Sequence, residues 1–258
     1  MRDCYSEAIF VLQQFVCKTT GEFLDISERL EKVNARIGKA AKSVGRPVEE
    51  ISLIVVSKTH QPDIVRQAIE AGVSDLGENR VQEAESKIEE IGHERVRWHL
   101  IGHLQANKAR RAVQLFDVIH TLDTPALALR LDRLCLEESR DVLPVLIQVD
   151  LGREVTKSGA GEGELPELVR AIKSTERLRL IGLMTVPPFF EDIELVRPFY
   201  HRLRHLRDEF QLQGVFGMEQ GALSMGMSHD FEVAIQEGAT MIRVGTAIFG
   251  ERERPAFK

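Results

Sequence analysis

The sequence predicts a single (β/α)8 barrel, and three observations carry that expectation. About eight short apolar runs alternate with helical stretches over roughly 230 residues, which is the repeat count of such a barrel. No linker rich in glycine, proline or serine divides them. No GxGxxG turn follows the first apolar run, so the doubly wound open sheet, which shows the same alternation, lacks its usual phosphate loop.

The first element is a helix. Phe23, Ile26, Leu30, Val33 and Ile37 recur at three- and four-residue spacing, form one apolar stripe and give way to Gly45-Arg46-Pro47. Residues 23–258 are therefore expected to form the barrel domain, with residues 1–22 as an N-terminal extension. The expected strands are Leu53 to Ser57, Ser74 to Gly77, Trp98 to Gly102, Val118 to Leu122, Val145 to Asp150, Leu180 to Met184, Ala222 to Met225 and Met241 to Gly245. Mostly branched, unbroken apolar runs such as ISLIVVS suit strands covered on both faces. Between them, Pro62 to Ala71 opens on a proline and closes at Gly72, and Val81, Ala84, Ile88 and Ile91 stripe a helix that ends at Gly92. Thr124-Pro125 opens another, with Leu127, Leu131 and Leu134 on one face. Ile193, Val196, Tyr200, Leu203 and Phe210 stripe a further one.

Composition narrows the partners. A hydrophobic content of 43% can build a sizeable core. With 34 basic against 40 acidic residues the net charge is -6, which argues against a nucleic-acid footprint or attraction to an anionic membrane. The local cluster Lys108, Arg110 and Arg111 reads as a solvated helix face. Cys4, Cys17 and Cys135 are widely spaced and form no CxxC pair, so neither a disulfide framework nor a zinc site is expected, and a reducing cytoplasm fits best. The run Ala8-Ile9-Phe10-Val11-Leu12 is too short to span a bilayer, and Asp3 and Glu7 before it spoil a secretory signal.

Polar residues just past the strand C-termini of a barrel share one mouth, where active sites lie. Here the strand ends bring Lys58, Gly77-Glu78-Asn79, His99, Gly102 and His103, Asp150, Met184, Ser224-Met225-Gly226, and Arg243 with Gly245-Thr246. Desolvation at the end of an apolar strand favours the neutral form of the Lys58 amine, a nucleophile that condenses with carbonyls. A lysine that snorkels into water is the alternative. Small residues, hydroxyls and backbone amides in the last two groups suit an anion such as phosphate. Glycines also stand at strand ends simply because turns need them. His99 and His103 resemble a metal pair in spacing, but on a strand that spacing covers roughly 13 Å, too far for one ion. His99 reads either as a polar group at the mouth or as a hydrogen-bonded core histidine.

Several blocks together carry a resemblance. Ser57-Lys58-Thr59, Gly77-Glu78-Asn79-Arg80-Val81-Gln82-Glu83, Trp98-His99-Leu100-Ile101-Gly102-His103-Leu104-Gln105-Ala106-Asn107-Lys108, Lys157-Ser158-Gly159, Gly182-Leu183-Met184, Leu223-Ser224-Met225-Gly226-Met227-Ser228 and Ile242-Arg243-Val244-Gly245-Thr246-Ala247-Ile248-Phe249-Gly250 stand in order. In this the chain resembles the YggS/PROSC family, the pyridoxal 5'-phosphate homeostasis proteins, from about Asp25 to Arg252. The resemblance implies a barrel like the N-terminal domain of alanine racemase, carrying pyridoxal phosphate as an internal aldimine on Lys58. It implies a phosphate on Ser224 and on Gly245-Thr246, Arg243 facing the pyridine nitrogen, and Asn79 and His99 flanking the cofactor. Met184, Met225 and Gly226 complete the cofactor contacts expected at these strand ends. A guanidinium only donates, so a ring nitrogen facing Arg243 must accept and stay unprotonated, which weakens the ring as an electron sink. Three features depart from the family: His229 replaces the usual acidic residue after Ser228, the loop from Gly152 to Thr156 is atypical, and the first twenty or so residues have no counterpart in short bacterial members.

The function that follows from the resemblance is a carrier or reservoir of pyridoxal phosphate with little catalysis of its own. Apo-enzymes that depend on the cofactor would be its recipients, and a monomer is expected. The rival is an amino-acid racemase or decarboxylase on the same cofactor. A racemase needs a base on each face of the α-carbon. The racemase family supplies the second as a tyrosine from an added domain, for which this chain, ending at Lys258, leaves no room, and its tyrosines Tyr5 and Tyr200 lie in the leading segment and on a helix stripe. A lysine-dependent aldolase needs no phosphate site and fits less well.

Overall fold

The structure, a computed structural model, describes residues 25–152 and 158–250. The extension expected over residues 1–22, with Cys4, Tyr5 and Cys17, lies outside the described residues, as do Phe23, most of the atypical loop and Lys157.

Among the described residues, eight parallel strands close into a barrel in sequence order: β1 (Ser52–Val56), β2 (Asp75–Glu78), β3 (Arg97–Leu100), β4 (Val118–Leu122), β5 (Leu143–Gln148), β6 (Leu178–Met184), β7 (Ala222–Met227) and β8 (Met241–Val244). The ring closes where β8 pairs with β1, Val244 opposite Val55. The helices are α1 (Ile26–Ser43), α2 (Pro62–Glu70), α3 (Val81–Ile91), α4 (Ala109–Leu115), α5 (Pro125–Glu137), α6 (Leu165–Lys173), α7 (Arg197–Leu212), α8 (Phe231–Gln236) and the short α9 (Thr246–Phe249).

Alternation along each strand divides the interior into two compartments. Val55, Leu76, Leu100, Leu223 and Val244 face outward into the core shared with the helices, where Leu131, Leu168, Tyr200 and Phe231 cover them. Their neighbours in sequence face the lumen. There Val118, Leu146 and Met184 form a small separate apolar cluster with Ala222 and Met241 against it.

Local signals place the helices. Proline stands in the first turn of α2, α5, α6 and α7, where its missing N–H costs nothing. The Thr124 hydroxyl accepts from the Leu127 amide at 3.3 Å and caps α5. The stripe expected from Ile193 to Phe210 is two elements: a 3-10 turn over Ile193–Val196, then α7, which starts afresh at Arg197 because Pro198 suits only a first turn. The strand expected to end at Met225 runs on to Met227, since Gly226 takes a left-handed φ of 91° inside it and shifts the register with β8. The basic cluster on α4 is paired: Arg110 with Glu137 and Glu138, and Arg111 with Glu85 at 2.7 Å. Among the described residues no helix is long and apolar enough to cross a membrane.

Candidate functional site

Lys58 stands two residues past the end of β1 and is half-buried. The residue before it, Ser57, faces outward: its hydroxyl donates to Glu78 Oε1 at 2.6 Å, and Lys87 Nζ on α3 donates to the Ser57 carbonyl at 2.6 Å and to Glu78 Oε1 at 2.5 Å. Continuing that alternation turns Lys58 to the lumen side with Ile54 and Val56. The backbone beyond it is fixed from two sides. Thr59 has a φ of 68°, an uncommon conformation for a β-branched residue. It is held there as its amide donates to Glu83 Oε2 at 3.3 Å, while the His60 ring stacks on Phe249 of α9, centroids 4.4 Å apart. The loop carrying the amine is thereby locked to the turn after β8.

That turn presents backbone amides. The Gly245 and Ala247 amides donate to Ser228 Oγ at 3.2 and 3.5 Å, so a hydroxyl from the end of β7 and two amides from the end of β8 converge. A β-carbon on Gly245 would sit 3.2 Å from the Val56 carbonyl oxygen, so this backbone lies directly against the end of β1. Thr246 is exposed and lines a shallow cleft of about 360 Å³ with Arg29, Lys32 and Arg36 of α1.

Beneath the mouth the lumen is polar. Arg243 Nη1 donates to Ser224 Oγ at 2.7 Å and Nη2 to the Thr185 carbonyl at 2.8 Å. Ser224 Oγ lies 2.9 Å from His120 Nδ1, His120 Nε2 lies 2.9 Å from His99 Nδ1, and His99 Nε2 lies 2.8 Å from Asp75 Oδ1. All six residues are buried. Burial pushes Asp75 upward, but hydrogen bonds from His99 and Ser74 outweigh it and hold the carboxyl below its ordinary value. Burial pulls His120 well below the usual histidine value.

The profile of the alanine racemase N-terminal domain matches residues 29–253. The pyridoxal phosphate homeostasis protein of Aquifex aeolicus is 41% identical over 230 residues, which cover 89% of this chain and 100% of the relative. The chain belongs to the pyridoxal phosphate homeostasis protein family. The homeostasis protein of Escherichia coli K12 is 41% identical over 235 residues, 89% of this chain and 97% of its own. Among solved structures, PipY of Synechococcus elongatus with PLP bound superposes with a TM-score of 0.73 at 37% identity, covering 87% of this chain and 100% of PipY.

Within this family fold, the residues expected at the site separate into three places. Lys58, Asn79 and Gly245 are half-buried at the rim and Thr246 is exposed there; Asn79 lines a cleft of about 580 Å³ with Gly102, His103 and Lys108. Met184, His99, Ser224 and Arg243 lie inside the lumen, below the mouth. His99 is thus a hydrogen-bonded lumen group, while the His103 side chain is half exposed beside Asp123, so the two histidines do not converge. Met225 faces outward into the core with the helices, and Gly226 serves packing: a β-carbon there would meet Ala234 at 2.5 Å. Three residues outside the expected set adjoin these groups. Ser228 stands at the rim where Ser224 was expected, because β7 is longer than its apolar run. His120 sits in β4 with no flanking polar residue but Thr121 to mark it. Lys87 interrupts the apolar stripe of α3, and a charged residue on a buried face is itself a signal.

Proposed function

We propose that this chain binds pyridoxal phosphate at the barrel mouth and serves as its carrier in homeostasis, with little or no turnover of its own. The observation that carries the reading is that Lys58 just past β1, the Gly245 and Ala247 amides after β8 gathered on the Ser228 hydroxyl, and the Arg243 guanidinium below them share one end of the barrel. The family's PLP-bound member supports it. When bound, the cofactor supplies an aldehyde that condenses with amines and a ring that withdraws electrons from the neighbouring carbon. Lys58 Nζ would be the amine that holds the cofactor through that aldehyde. The Gly245 and Ala247 amides and Ser228 Oγ would turn to the phosphate, with the Gly245-Thr246 turn as its backbone cradle. Asn79, just past β2, would border the ring, and Met184 would stand below it. Arg243 can only donate, so a ring nitrogen facing it would have to accept and stay unprotonated. That arrangement favours holding over turnover. Tyr200 is fully buried in the outer core and its burial raises its pKa, so among the described residues no tyrosine stands at the mouth as a second base. A cytoplasmic, monomeric carrier that hands the cofactor to apo-enzymes is consistent with these features.

The absorption spectrum of the purified protein tests the reading. Protein loaded with pyridoxal phosphate should be yellow, lose the colour on hydride reduction with the label mapping to Lys58, and fail to colour in Lys58→Ala. A label elsewhere, or a fully coloured Lys58→Ala, would refute the tether. Incubation with single amino-acid enantiomers in deuterated water tests the rival: sustained α-carbon exchange with inversion would make the protein a racemase.

A further inference from the structure

The lumen chain from Arg243 to Asp75 has one direction. Asp75 is a carboxylate and can only accept, so His99 Nε2 must carry a proton and donate to it. In a neutral His99 the other nitrogen then accepts, which makes His120 Nε2 the donor of the 2.9 Å bond between the rings. His120 Nδ1 in turn accepts, and only the Ser224 hydroxyl can donate to it. Ser224 Oγ is left to accept from Arg243 Nη1, a group that never does anything but donate. Every donor finds an acceptor, and the chain runs from a buried cation to a buried anion across β8, β7, β4, β3 and β2. One additional proton on His99 would reverse the links. His99 Nδ1 would become a donor, His120 would have to carry its proton on Nδ1, and the Ser224 hydroxyl would lose its acceptor.

The far end opens on the opposite rim. Asp75 is the first residue of β2, and Arg97, whose side chain is 63% exposed, reaches its Oδ1 at 2.8 Å. Arg243 is held on its other edge by the Thr185 carbonyl. We propose that Asp75, His99, His120 and Ser224 are positioning residues that act through Arg243, fixing its guanidinium as an oriented donor toward the ligand ring, with both histidines neutral and protonated on Nε2. This rests on the reading of the mouth as a pyridoxal phosphate site. It assigns the interior histidines to the ligand although neither reaches the rim. It also makes the charge of Asp75, at the start of β2 and separated from the strand of Arg243 by β1 alone, part of the ligand's environment.

The first test needs no variant. Nitrogen NMR of the ¹⁵N-histidine-labelled full chain at neutral pH should show His99 and His120 as neutral Nε2–H tautomers, with and without pyridoxal phosphate. A cationic ring, or an Nδ1–H tautomer at either position, would overturn the chain. The second uses Asp75→Asn and His120→Asn, each loaded with pyridoxal phosphate and compared with wild type. An asparagine at 75 can accept or donate, so the tautomers should mix. In both variants the visible band should titrate at a different pH, and the cofactor should leave roughly tenfold faster, as expected for one hydrogen bond lost to a charged donor. Ser224→Ala, which removes only an oxygen, guards against a variant that does not fold and should show the same spectral change. Normal uptake by wild type with an unaltered band and release rate in all folded variants overturns this inference alone. No uptake by wild type removes the functional reading, and this inference with it.

Discussion

Ser228 carries the most immediate consequence at the scale of single residues. Its hydroxyl gathers the Gly245 and Ala247 amides, whereas Ser224 is committed to Arg243 and His120 inside the lumen. Ser228→Ala should therefore weaken retention of pyridoxal phosphate by roughly tenfold or more, since a hydrogen bond to a charged group contributes about 1.5–3 kcal/mol, and leave the visible band in place. Equilibrium dialysis against the free cofactor measures this; unchanged retention would remove Ser228 from the site. The sequence shows both serines but not which one stands at the rim, because the choice depends on where β7 ends. Gly226 resembles a strand terminator, yet its φ of 91° lets the chain turn locally and continue. The place of Lys58 just past β1 was legible from the unbroken apolar strand before it.

At the scale of elements, the mouth depends on close approaches of backbone to backbone. A β-carbon on Gly102 would fall 2.2 Å from the Asn79 carbonyl oxygen, and neither partner is a flexible side chain that could swing away. Gly102→Ala must push the loop after β3 away from the loop after β2. We expect a loss of about 1–3 kcal/mol in urea unfolding, the usual range for overpacking, together with weaker cofactor retention as Asn79 shifts. A variant as stable as wild type would show that the loops are not in register at this point. The outer staple of Ser57, Glu78 and Lys87 belongs to the same scale: it ties the end of β1 to β2 and α3 on the side away from the lumen, and burial raises the Glu78 carboxyl against the pull of Lys87. Strands and most helix starts were legible because apolar runs, prolines and Thr124 act locally. The split before α7 was marked by Pro198 but hidden under an apolar stripe that runs on through it, and the pairing of Arg110 with Glu137 and Glu138 depends on what lies across the fold.

For the molecule as a whole, the buried lumen makes stability depend on pH. His120 is held neutral well below the ordinary histidine value of about 6.5, so below that pH the unfolded chain takes up a proton that the folded chain refuses. Its contribution is fully present above about pH 6.5 and is lost as pH falls toward the depressed folded value. Each unit lost in that window costs up to about 1.4 kcal/mol. Urea unfolding of wild type at neutral and mildly acidic pH should show that drop, and His120→Asn should show less of it; equal slopes would mean His120 is not the group responsible. The barrel itself was legible from the count of alternating runs, but the polar lumen was not, because period two assigns a face to a residue without saying which partner waits across the ring. The closure of β8 on β1 has a consequence in time as well as space. Lys58 follows the first strand made and the Gly245 and Ala247 amides follow the last, so a growing chain cannot grip a ligand between them until the eighth strand has arrived. Uptake of the cofactor would then report on completed synthesis: a barrel that has not closed has nothing to hold it with.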